Sequence, residues 1–276
     1  ANGDVTISGW VIGHDGINMF GAEDPDLFPE ITLTESGIFE TRSGDIRLNP
    51  VGHTVLRGDI LARGENANII IDAANTLELR GDLVADRDII IAAGTETVGG
   101  EVSVETFGTG RFISEGDSGR ILITGQNDVI INNQIGVDRE DQRNTGIQRI
   151  EIVSEQGLLH LDRNALIDTE GQLNLRGRDV LLEGFVISDR NTLSILDYEV
   201  QVIATRELEM TGTYDIEGSV LLRAGSGDLE VYNTRLLVGG DANRLTMEAG
   251  GDMRLGTQTP VAGQESVRAV ALEADR

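Results

Sequence analysis

Short blocks in which apolar residues alternate with polar or small ones recur along the chain. They read DIRLN from Asp45, NIIIDA from Asn68, DIIIAA from Asp88, RILITG from Arg120 and RIEIVS from Arg149. They continue as QLNLRG from Gln172, TLSILD from Thr192, SVLLRA from Ser219, RLTMEA from Arg244 and VRAVAL from Val267. Alternation with period two is the pattern of a strand that buries one face. The mean step of about 25 residues is the scale of a structural repeat. DVTISG from Asp4 and EITLTE from Glu30 read as the same unit with a longer excursion between them. Each period holds a second block and often a third: HTVLRG then DILARG, NTLELRG then DLVAD, NDVIINN then QIGVD. GLLHLD then NALID, RDVLLEG then FVISD, and GDLEVYN then TRLLVGG follow the same plan. Gly, Asn, Asp and Arg mark the corners between blocks.

Strands this short cannot bury a face alone. Stacking one period on the next solves the problem: equivalent strands pair in parallel, about 4.8 Å apart, and inward Ile, Leu and Val form columns. The expected fold is therefore all-β, a right-handed parallel β-helix (β-solenoid) of about ten to twelve coils. Its hand follows from the rule for parallel crossovers. Ala73, Ala74, Ala92 and Ala93 are expected at tight interior corners, and Asn75 and Asn127 in amide ladders. A β-sandwich gives no reason for one unit to recur so long. A leucine-rich repeat needs helical backs, and no capped segment of helical period supplies them. Residues 1–42 are expected to form N-terminal coils with a flap or loop at 13–30. Residues 43–276 then make one continuous solenoid domain. Longer steps of the repeat place extra loops near Thr95–Gly110 and Val137–Gly146. Both ends stay in pattern, so a piece of a longer solenoid is expected, with a subunit that pairs end to end as the alternative.

Composition narrows the chemistry. Thirty-five Gly, four Pro and 4% aromatic residues suit a thin aliphatic core with tight turns. Twenty-two basic residues, all arginine, face 47 acids, a net charge of −25. Such a field repels nucleic acid, and no apolar run approaches the roughly 18–20 residues of a spanning helix. No nucleic-acid partner and no membrane insertion are expected. Without lysine there is no Schiff base, pyridoxal phosphate or lysine-ended phosphate loop. Without cysteine there is no disulfide or thiolate metal site.

The phrases SGDIRL, NTLELRGDLVADRDIIIAAG, GDLEVYNTRLLVGGD and GGDMRLG resemble the repeats of filamentous-haemagglutinin-like proteins, giant bacterial surface adhesins of which many are exported by two-partner secretion. The resemblance covers Ser43 to Arg276 and rests on degenerate motifs. It implies an extracellular or cell-surface protein acting in adhesion, biofilm matrix or filament formation. Asn49-Pro50 matches the Asn-Pro motifs of the family's secretion domain only in part, and no such domain is assigned. The expected function is a structural, adhesive segment: a rigid acidic rod without catalytic residues. It would meet host or matrix surface ligands and self-associate end to end or side by side. The alternatives are a subunit of an end-to-end extracellular fibre and a β-helical polysaccharide lyase or glycosidase.

Candidate sites are few. Arg57-Gly58-Asp59 and Arg80-Gly81-Asp82 lie 23 positions apart, one coil, so the register stacks Asp59 on Asp82 and Arg57 on Arg80. Close carboxylates suit sugar cleavage, and Arg-Gly-Asp on a protruding loop suits integrin binding. A repeated turn in which Asp caps the corner and Arg offsets nearby acids is the simpler reading. Glu23, Asp24, Asp26 and Glu30 form a candidate calcium site, with Asp138, Glu140 and Asp141 as a second acidic cluster, because hard cations take several oxygen donors. His14, His53 and His160 stand apart in sequence, and none sits in a metal spacing such as His-x-x-x-His.

Overall fold

The computed structural model describes residues 4–20, 30–94, 104–106, 110–115, 119–136, 149–189, 198–239, 243–256 and 272–273. Among them every helix or strand is a strand. The chain runs through three faces per turn and comes back to the first, so each strand pairs in parallel with the strand one turn later. This is a parallel β-solenoid. Its third face is a ten-stranded ladder from Ile17–Phe20 to Leu245–Ala249. The other two faces form one twenty-stranded sheet, because Leu208–Glu217 and Leu229–Gly239 each run through both.

Eight of the ten repeated blocks fall on the third face, in register. One inward column reads Ile46, Ile69, Ile89, Ile121, Ile150, Leu173, Val200 and Val220, each 3% exposed or less. A second runs from Leu48 through Ile71, Ile91, Ile123, Ile152, Leu175 and Val202 to Leu222. Each such side chain stabilises by about 1.5–3 kcal/mol on burial, and the next turn supplies the cover. An aromatic column occupies the second face, where Phe39, Phe112 and Tyr214 take one inward position along the ladder, three and then four turns apart.

Several expectations need correction. About eight turns are flanked by neighbours on every face, with a terminal turn at each end, fewer than the ten to twelve coils expected. DVTISG and EITLTE inflate the count, because they lie on the first face and pair with each other, not with DIRLN. The rung after Gln172–Gly177 is Val200–Ala204, not TLSILD, which falls wholly outside the described residues. VRAVAL falls mostly outside them too. Ala73, Ala74 and Ala93 are buried, but Ala92 points outward because alternation in Ile89–Ala93 leaves it on the solvent side. Asn75 and Asn127 form no amide ladder among the described residues: Asn75 Oδ1 accepts from the Thr76 N–H and the Asn127 carbonyl accepts from Ser154 Oγ. Of the 13–30 flap, Ile17–Phe20 is a rung of the third face and residues 21–29 lie outside the described set. The loops expected near Thr95–Gly110 and Val137–Gly146 also lie mostly outside it, though Val104–Thr106 is a strand on Leu77–Leu79. The ladder runs without a break through residues 42 and 43, whose N–H groups donate to Gly13 and His14 of the turn before.

Candidate functional sites on the outer wall

Corners of the coil place the polar side chains. After the first face the chain turns at Gly37, Gly58, Gly81 and Gly110, which stack one above another. A Cβ at Gly58 would overlap the carbonyl oxygen of Gly37, and one at Gly81 that of Gly58. Glycine is required there by close approach of backbones. Arg57 and Arg80 flank this column and stand in register, as expected. Arg80 Nε lies 2.5 Å and Arg57 Nε 3.9 Å from the same Glu78 oxygen, so one carboxylate serves two guanidinium groups. Asp59 and Asp82 stack as expected, and each is engaged by the following turn. Asp59 Oδ1 accepts the Asp82 N–H at 3.1 Å, and Asp82 Oδ1 accepts the Arg111 N–H at 2.9 Å. The Arg111 guanidinium adds a bond to Asp82 Oδ2 at 2.8 Å. Both Arg-Gly-Asp tripeptides thus lie in the wall, with Asp59 already inside a strand.

The same device recurs at the entrance to the third face. Asp45 Oδ1 accepts from the Asn68 N–H, Asn68 Oδ1 from the Asp88 N–H, and Asp88 Oδ1 from the Arg120 N–H. Arg120 closes the run with an ion pair of 2.6 Å to Asp88, whose side chain is 6% exposed. Burial acts to raise the Asp45 carboxyl, but hydrogen bonds from Arg47 and Asn68 outweigh it and hold the group below its ordinary value. At Asp179 burial is likewise outweighed, by bonds from Arg206 and Arg178. Many wall acids are thus acceptors for the next turn.

Glu23, Asp24 and Asp26 lie outside the described residues, as do Asp138, Glu140 and Asp141. Glu30 is exposed, and its N–H donates to Asp4 Oδ1 at 3.0 Å. His14 is exposed beside Asp15, with 2.9 Å between Nδ1 and the carboxylate. His160 differs. It projects outward from Leu158–Leu161, and its Nε2 lies 2.9 Å from Glu183 Oε2. Asp162, two residues on, completes a half-buried group whose three ligand atoms lie within 4.8 Å of one another. Glu183 comes from the next turn, 23 positions later. Residue spacing within a single block does not show this group; His160-x-Asp162 on one strand side, plus an acid one period away, is the signal the chain carries.

No known protein family, curated protein or solved structure matches the chain. The architecture is that of a β-helical repeat protein. Among the described residues no helix is long and apolar enough to cross a membrane.

Proposed function

We propose that this chain is a structural, adhesive segment of a large extracellular or cell-surface bacterial protein of the filamentous-haemagglutinin-like kind. What supports the reading above all is the unbroken register of the inward columns through ten rungs of one face. At about 4.8 Å per rung such a ladder spans roughly 45 Å, and its rigidity follows from backbone bonds repeated on three faces. The outer wall carries acids held by arginines, and the net charge of −25 keeps the rod in solution. A rod of this kind presents its wall to host or matrix surfaces. Beads coated with the chain and flowed over immobilised collagen and fibronectin test this. Retention above that of beads coated with an unrelated protein of equal charge is expected, and equal retention on every surface overturns the adhesive role.

A second reading, a subunit of an end-to-end fibre, draws on the first turn. There, among the described residues, the strands Trp10–Gly13 and Ile17–Phe20 each pair on one side, and Trp10, Ile12 and Phe20 are 65%, 51% and 72% exposed. Such an edge is a template for further strands. Electron microscopy at rising concentration should show filaments for the fibre, shortened by Trp10→Glu, whereas uniform short rods at every concentration contradict it.

A further inference from the structure

The geometry points to a binding site for one divalent first-row transition cation of the Zn²⁺ class, held by His160 Nε2, Asp162 and Glu183 on the outer wall. This goes beyond the rod reading and stands independently of it. An imidazole nitrogen with two carboxylates suits these ions, whereas calcium prefers an all-oxygen set. The separation of 2.9 Å between His160 Nε2 and Glu183 Oε2 is close to that of neighbouring ligands around an ion with bonds of about 2.0–2.2 Å. Asp162 is also placed for the task. The Asn164 backbone and side-chain amides both donate to its Oδ1, at 3.0 and 2.9 Å, which steadies the carboxylate while these bonds leave Oδ2 to a ligand. Water would fill the remaining positions.

The surroundings favour a cation. Arg163 approaches Glu183 Oε1 only to 3.7 Å, and its side chain is 74% exposed, so it can swing aside. On the following turns Glu209 pairs with Glu230 across the ladder. The Glu209 carboxyl is pushed above its ordinary value, first by burial and then by the charges of Glu230 and Glu183. Arg254 pairs with Glu230, and at the site itself two carboxylates, Asp162 and Glu183, meet the loosely held Arg163. A bound ion would join two consecutive turns, since His160 and Asp162 belong to one and Glu183 to the next.

The chain has three histidines, which makes the test direct. Zinc chloride is titrated into the full chain while imidazole ¹H–¹⁵N resonances are followed. One equivalent should shift His160 and leave His14 and His53 in place. Asp162→Asn and Glu183→Gln should each weaken the response at least about tenfold, with an unchanged amide spectrum showing that the fold is intact. Should either variant misfold, the wild-type titration still decides. A His160 resonance that stays put, or one that moves only along with His14 and His53, overturns the site. So does an undiminished response in a folded Glu183→Gln chain.

Discussion

The middle of the solenoid and its first turn are built from the same alternating pattern and differ in what covers them. Phe39 and Val11 hold one inward position on the second face in adjacent rungs, yet Phe39 is fully buried and Val11 is 36% exposed. The strand Trp10–Gly13 is exposed at three of its four positions. The corner glycines repeat the contrast: a Cβ at Gly58 overlaps the previous turn, while one at Gly9 meets nothing within 4 Å. Burial in this protein is thus a property of the neighbouring turn, not of the strand. A rung acquires its core only when another rung sits on it.

The largest effect that sharpens this contrast is at the glycine column. Gly58→Val should destabilise by about 3 kcal/mol or more, since the backbone of Gly37 cannot move without shifting a whole turn. Gly9→Val should leave the denaturation midpoint nearly unchanged, and equal losses at the two sites would break the comparison. Next come the columns. Ile123→Ala in the middle should cost about 2–5 kcal/mol, and Leu245→Ala on the last described rung of the third face clearly less, because that side chain is only partly buried.

Smaller effects belong to the wall. Asp88→Ala orphans the Arg120 N–H and unpairs its guanidinium, with an expected loss of about 1–3 kcal/mol by denaturant titration. Asp45 and Asp179 ionise below their ordinary values, so their contribution is full above the unfolded value of about 3.9 and is lost as pH falls through the folded one. The melting temperature of Asp179→Asn should therefore trail the wild type at pH 7, and the gap should close as the pH falls below about 3.9. Smallest of all, Glu209→Gln removes a charge disfavoured by burial and by Glu230 and Glu183, and should raise the melting temperature slightly at pH 7. A decrease would contradict the account of that wall.

The period and the strand alternation are legible in the sequence because both are written in residue type. Ile69, Ile89 and Ile121 announce a buried column by their chemistry and spacing alone. Which face a block joins is not legible, since aliphatic columns on the three faces are chemically alike. DVTISG therefore reads as a member of the wrong column, and TLSILD displaces VQVIA although either sequence would suit the position. The acids at the corners are visible, but their use as acceptors for the next turn depends on register to within one residue. His160 and Glu183 meet because one turn returns the chain to the same place, and their 23-position spacing is a signal only once the period is known to the residue.

Distances along a single outward column test the stacking of turns most directly. Ile70, Ile90, Leu122, Glu151, Asn174, Gln201, Leu221 and Thr246 follow one another in register on the third face. The chain has no cysteine, so nitroxide labels can be attached to introduced pairs without background. Pulsed electron resonance on Ile70→Cys with Gln201→Cys, five rungs apart, should give about 24 Å, and on Ile70→Cys with Thr246→Cys, seven rungs apart, about 34 Å, a constant rise of about 4.8 Å per rung. Distances that fail to grow with rung number, or that fold back to short values as in two packed sheets, would contradict the solenoid.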